Sequence, residues 1–202
     1  MIVDDVNRET ARRLAEQFQF EIGSALSLND VLSEGLRADV LYRVKSEISS
    51  KEKLQRRQIP GQVGKLNDFL GLRVLLTHWD QLDEALSFIR KWASERGLSE
   101  LKFGDWSKDR HLRPYRSVHI DFDLPEVVAT GANVMLGMEI QITTHISRLI
   151  ADISHDLVYK HGKLPYRDEE QQRLLSLISS QSAALEDTIA QLFRLERGGR
   201  LR

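Results

Sequence analysis

Residues suited to handling phosphate recur in four separated segments of this chain. Arg43-Val44-Lys45-Ser46 opens a basic stretch that runs through Lys51 and Lys53 to Arg56-Arg57. Asp68 follows within Leu66-Asn67-Asp68-Phe69-Leu70, five residues before Arg73. Then come Lys108, Tyr115-Arg116-Ser117-Val118-His119 and Glu139-Ile140-Gln141-Ile142. A cationic cradle, two isolated carboxylates and an aromatic ring near a histidine are the parts needed to move phosphoryl groups between nucleotides.

Each segment has a chemical reading and a plainer one. If Ser46 caps a helix, Ser49 and Lys53 share a face four residues apart, with Lys45 just before it. Free backbone N–H groups at a helix start add to such cations and make a phosphate site; a solvated basic face is the alternative. Asp68 lies in apolar sequence, where a carboxylate is costly to bury unless paired or metal-bound. It can also serve as a helix cap or pair with Arg73. Tyr115 can stack on a base while its neighbours take phosphates, or fill the core. Glu139 and Gln141 alternate with isoleucines, so both side chains leave one face of a strand, where His119 of a neighbouring strand can join them. An ordinary half-exposed strand reads the same way.

The elements that must position these residues follow from periodicity. Leu14, Phe18 and Ile22 mark a helix over about Asn7 to Leu26. Ala38 to Val44 reads as a strand, Ser46 to Arg57 as a capped helix, and Gln58 to Gly64, with its Pro-Gly pair, as a loop. Gly71 to Thr77 reads as a buried strand, followed by an amphipathic helix over Trp79 to Glu95. Strands are expected at Glu100 to Phe103, Ser117 to Leu124 and Val134 to Thr143. In Ser117 to Leu124, Val118, Ile120 and Phe122 alternate with His119, Asp121 and Asp123. Helices over Thr144 to His161 and Arg167 to Arg197 close the chain. The second carries Leu174, Ile178, Leu185, Ile189 and Leu192 in register and ends at Gly198-Gly199. The expected class is α+β: a single domain over 1–202, its mixed or antiparallel sheet flanked by helices.

Composition narrows the function classes. The length of 202 residues suits one well-cored domain. With 41% hydrophobic and 29% charged residues, the chain is neither disordered nor membrane-like, and no apolar run approaches the roughly 20 residues of a spanning helix. A net charge of −1 argues against a protein dominated by nonspecific nucleic-acid binding. No cysteine is present, which excludes disulfides and thiolate metal sites and fits the cytoplasm. The acidic start at Asp4-Asp5 does not resemble a secretory signal.

In order and spacing, the segments from about Leu41 to Lys160 resemble the synthetase domain of the RelA/SpoT-type alarmone synthetases. Arg43-x-Lys45-x3-Ser49-x3-Lys53 matches the family's donor pattern, and Asp68-x-x-Gly71-x-Arg73 its strand signature. Tyr115-x-Ser117-x-His119 matches the acceptor strand, and Glu139-Ile140-Gln141-Ile142 the strand of the second carboxylate. His155 and Tyr159-Lys160 match its closing element. The resemblance implies a nucleotidyltransferase-like synthetase fold and a Mg²⁺-dependent pyrophosphokinase of the small, stand-alone kind. It implies that Lys45, Ser49 and Lys53 hold the ATP phosphates while Arg43 and Arg73 sandwich the adenine. Asp68 and Glu139 would bind Mg²⁺, with Glu139 activating the acceptor 3′-hydroxyl. Lys108, Tyr115, Ser117, His119 and Gln141 would line the acceptor site, with Tyr115 stacked on the guanine of GDP or GTP.

The chain departs from that pattern at three points. Pro114 stands where the family usually has glycine, the stretch from Lys108 to Tyr115 is short, and Thr143 replaces an arginine. The first two touch the acceptor pocket and the third removes one cation of the usual set, so other acceptors stay open: the 3′ end of tRNA, as in toxin-type relatives with a cognate antitoxin, or adenine nucleotides. The basic end, Arg194, Arg197, Arg200 and Arg202, would suit tRNA or be a solvated tail. A noncatalytic nucleotide-binding module is a third reading, against which the two carboxylates argue. Self-association through the C-terminal helices is a further expectation; a membrane partner is not expected.

Overall fold

A computed structural model describes residues 5–27, 38–57, 64–106, 115–125, 127, 134–159 and 169–200. In chain order they form α1 (Asp5–Ser27), β1 (Asp39–Val44), α2 (Glu47–Arg57), β2 (Gly64–Leu76), a 3₁₀ turn (Trp79–Gln81) and α3 (Leu82–Glu95). Next come β3 (Glu100–Asp105), β4 (Val118–Asp123), β5 (Val134–Thr144), α4 (His145–Tyr159) and α5 (Glu169–Arg200). The strands make one sheet in the order β1-β2-β5-β4-β3. Only the central β2–β5 pair is parallel. The sheet is therefore mixed, in the α+β class.

Strand alternation divides the sheet into an apolar and a polar face. Leu66, Leu70, Leu72, Val74 and Leu76 of β2, Met138, Ile140 and Ile142 of β5, and Val118, Ile120 and Phe122 of β4 are buried in the core. Helix α1 meets them with Ala11, Ala15, Phe18, Ile22 and Leu26. Helix α3 contributes Ala85, Ile89, Trp92 and Ala93, and Phe18 packs edge-on against Trp92 at 5.0 Å. The remaining parity positions, Arg43, Arg73, His119, Asp121, Glu139 and Gln141, stand on the opposite face.

Strand β2 is longer than its sequence pattern suggests, beginning at Gly64 instead of Gly71. Its register against β5 shifts between Leu66 and Leu70, where three residues oppose Gly137 alone. This bulge breaks the alternation that identifies a strand and re-aims Asn67 and Asp68. Gly137 makes the bulge fit, since a Cβ there would lie 2.9 Å from the Phe122 carbonyl oxygen and 3.0 Å from Asn67 Cα.

The C-terminal helix also departs from the sequence reading. It continues through Gly198-Gly199 to Arg200. Its apolar residues divide between two faces: Ile178, Ile189 and the buried Ala190 turn inward, whereas Leu174, Leu185 and Leu192 are exposed. No described helix is long and apolar enough to cross a membrane. Of the loop expected over Gln58 to Gly64, Gly64 instead begins β2, and 58–63 lie outside the described residues.

Candidate active site

The basic cluster expected to hold the donor forms at the junction of β1 and α2. Ser46 accepts the Ser49 N–H at 3.2 Å and so caps α2 as its sequence position suggests. Arg8 of α1 pins the junction, donating to the Lys45 carbonyl at 3.0 Å and to Glu47 at 2.5 Å. Lys45 Nζ then lies 2.7 Å from Asp68 Oδ2 and Lys53 Nζ 2.8 Å from Asp68 Oδ1. Of the readings open for Asp68, the ion pair holds, but with these lysines instead of Arg73. Burial would push the Asp68 carboxyl up; hydrogen bonds and charge from Lys45 and Lys53 more than offset it, leaving it below the ordinary carboxylate range. Ser49 is exposed on the first turn, its hydroxyl 3.1 Å from that of Ser46.

Arg43 and Arg73 share the polar face. In the β1–β2 ladder Arg43 opposes Gly71, and two residues further along β2 is Arg73. Arg73 donates from Nε to Gln141 Oε1 at 3.0 Å and lies 3.8 Å from Asp152. Burial, and the charge of nearby Arg148, pull its guanidinium below the ordinary arginine value, with Arg43 adding to that repulsion. Tyr115 is within electrostatic reach of the same guanidinium.

From Arg73 a polar chain crosses three strands. Gln141 donates to Glu139 Oε1 at 2.5 Å. His119 Nδ1 lies 3.2 Å from Glu139 Oε2, and His119 Nε2 lies 3.1 Å from the Ser117 hydroxyl. The register sets this up, since His119 opposes Gln141 and Asp121 opposes Glu139. Burial works to raise the Glu139 carboxyl, but the hydrogen bond and charge of His119, with the Gln141 amide, hold it below its ordinary value against the charge of Asp68. Trp106, at the end of β3, meets the His119 ring edge-on at 4.4 Å.

Asp68 and Glu139 offer hard oxygen donors within electrostatic reach, since the Asp68 charge acts on Glu139. Among the described residues no group of three metal-ligating side chains is arranged to hold a metal. Mg²⁺ suits this donor set, because it is commonly held by one or two carboxylates with substrate phosphates completing its shell.

The structure thus gathers Arg43, Lys45, Lys53, Asp68, Arg73, His119, Glu139 and Gln141 on one side of the sheet, with Tyr115 beside them. Ser117 is buried behind His119. Lys108 and Pro114, and the side chains of His155 and Tyr159 with Lys160, lie outside the described residues, as do the side chains of Arg197 and Arg200 and all of Arg202. Arg194, from the basic end, is committed to Asp80 through bonds of 2.5 and 2.9 Å.

Sequence reasoning missed three participants. Asp121 stands opposite Glu139, receives a hydrogen bond from Asn67 at 3.1 Å, and has its carboxyl raised by burial and by the Glu139 charge. Alternation in β4 had already placed it on the polar side. Arg148 of α4 brings a cation to the Arg73 region, and no spacing motif marks it. Glu186, 3% exposed on α5, lies in a helix that reads as amphipathic with polar residues outward.

Residues 42–164 match the model of the region found in RelA/SpoT proteins. A GTP pyrophosphokinase family protein from Streptococcus pneumoniae has a similar structure, with 21% identity, TM-score 0.71, and 95% of this chain and 94% of that one covered. Small alarmone synthetase 1 from Bacillus subtilis bound to its product pppGpp is similar at 22% identity and TM-score 0.68, covering 90% and 92%. The same enzyme bound to AMPCPP gives 19%, 0.65, 93% and 94%. No curated protein matches the sequence. With the family model spanning more than half its length and covering the end of β1 and all of β2, β3, β4 and β5, this chain belongs to the RelA/SpoT family.

Proposed function

We propose that this chain is a pyrophosphokinase that moves the β,γ-pyrophosphate of ATP to the ribose 3′-hydroxyl of GDP or GTP, giving a guanosine tetra- or pentaphosphate. The observation that carries it is the juxtaposition of a lysine-held carboxylate, Asp68, with the Arg73–Gln141–Glu139–His119 chain on one sheet face. A phosphate cradle and a base-bearing carboxylate on adjacent strands can address both ends of one transfer. The similar structures bound to pppGpp and AMPCPP support the same reading.

Lys45 and Lys53 leave Asp68 for the ATP phosphates, and Arg43 and Arg73 flank the adenine by stacking. Asp68 and Glu139 would hold Mg²⁺, which when bound supplies positive charge to the phosphoryl oxygens. Tyr115 stacks on the acceptor base and orients the ribose. The 3′-oxygen attacks the β-phosphorus in line while the bond to the α,β-bridging oxygen breaks, and AMP leaves with that oxygen. Glu139 accepts the hydroxyl proton, and His119 and Gln141 fix its carboxylate.

Incubation with γ-labelled ATP and, separately, GDP, GTP, ADP, ATP or deacylated tRNA tests this. Label on GDP or GTP is expected. Label on tRNA or an adenine nucleotide alone would replace the acceptor assignment, and none on any acceptor would leave a noncatalytic nucleotide-binding module. We also infer self-association through α5, whose outer face exposes Leu174, Leu177, Leu185, Leu192 and Leu195. A monomer mass in solution would overturn that.

A further inference from the structure

One buried carboxylate ties the C-terminal helix to the acceptor segment. Glu186 of α5 accepts hydrogen bonds from Trp79 Nε1 at 3.0 Å, from the Ser147 hydroxyl at 2.8 Å and from the Thr144 hydroxyl. Arg116 Nε lies 3.9 Å from it, an ion pair without a direct hydrogen bond. The Arg116 guanidinium also donates to the neighbouring Asp187 at 3.2 Å and lies over the Trp79 ring. A single side chain thereby joins the 3₁₀ turn, the end of β5, the first turn of α4 and the residue between Tyr115 and Ser117.

One of these hydroxyls, that of Ser147, joins Thr143 in holding the Arg116 backbone. Its N–H donates to Ser147 Oγ at 3.2 Å, and its carbonyl accepts from Thr143 Oγ1 at 2.7 Å. Thr144 caps α4 by accepting the Ser147 N–H at 3.1 Å, so Glu186 holds both the Ser147 hydroxyl that meets the Arg116 N–H and the Thr144 hydroxyl that caps the same helix. A carboxylate this deeply buried destabilises unless its donors are in place. Apolar packing alone could dock α5; the polar hub adds a fixed geometry for the segment that carries Tyr115.

We propose that Glu186 is a positioning residue for the acceptor, setting Tyr115 and Ser117 through Ser147, Thr144 and Arg116. The proposal rests on the pyrophosphokinase reading and on the acceptor role of Tyr115. Glu186→Gln keeps the shape and one acceptor oxygen but removes the charge facing Arg116. Ser147→Ala cuts the tie to the Arg116 N–H while leaving Glu186 in place.

The test compares steady-state constants and amide hydrogen exchange in both variants and the wild type. Each variant should raise the acceptor KM by about tenfold, the size of one charge-assisted hydrogen bond, with the ATP KM within about twofold. Exchange over 115–119 should quicken while protection over 66–76 holds. Wild-type exchange over 115–119 in both variants would overturn the tie itself. Faster exchange with an unchanged acceptor KM would overturn the positioning role. So would equal losses in both constants with protection lost over 66–76, which mark a residue of the fold alone. If the wild type labels no acceptor, the pyrophosphokinase reading fails instead, and exchange over 115–119 still decides whether Glu186 governs that segment.

Discussion

Arg43 lies across Gly71. A Cβ at Gly71 would stand 3.2 Å from Arg43 Cγ and 3.3 Å from its Nε, so the glycine of Asp68-x-x-Gly71-x-Arg73 is a floor for the arginine of the neighbouring strand. Its backbone needs no unusual conformation, because strand β2 runs through it. Gly71→Ala should therefore lift Arg43 and weaken ATP use. The expected rise in ATP KM is about 2- to 20-fold, the range of a lost cation–π face, with the melting temperature little changed. Arg43→Ala should match it, and the double variant should be no worse than Arg43→Ala alone. Additive losses would separate the two residues.

Asp68 and Glu139 are the carboxylates on which transfer should depend. Asp68→Asn or Glu139→Gln is expected to lower the rate by at least about a hundredfold, as for loss of one preorganised electrostatic element, without unfolding the protein. Initial rates with circular dichroism of both variants check this. Near-normal rates in both would sink the assignment.

Tyr115 decides between a small acceptor and a nucleic acid. A guanine nucleotide takes much of its orientation from base stacking, so Tyr115→Ala should abolish product from GDP. Neutralising Arg197, Arg200 and Arg202 together should leave that reaction nearly unchanged. A tRNA acceptor would reverse the pattern, and activity would fall steeply with salt as phosphate contacts are screened.

Acid should destabilise the nucleotide-free protein through Asp68 and Glu139. Both carboxyls lie below their ordinary values in the fold. Their contribution is present above the unfolded-chain pKa of about 4 and is lost as pH falls through the folded values. Asp121 is raised, so protonating it works in the opposite sense. Thermal melts between about pH 6 and pH 3 should therefore show a shallower acid loss in Asp68→Asn than in the wild type. An identical slope would mean that the lysine pairs contribute nothing.

The sequence by itself determined most of the elements and most of the residues that gather in the candidate site. Alternation in Val118-His119-Ile120-Asp121-Phe122 and in Glu139-Ile140-Gln141-Ile142 fixes which side chains leave the core, because a strand places neighbours on opposite faces. Ser46 announces the start of α2, and the spacing to Ser49 and Lys53 gives the helical face. What only the tertiary structure decided depends on contacts far apart in the chain. The β2 bulge that turns Asp68 toward Lys45 and Lys53 exists because Gly137, about 70 residues on, has no side chain, and local pattern reading treats a bulge as a broken strand. The partners of Glu186 come from the 3₁₀ turn, β5, α4 and the segment before β4. A lone glutamate on a helix gives no sign of them, because its burial is set by which surface the helix meets and not by its neighbours in sequence.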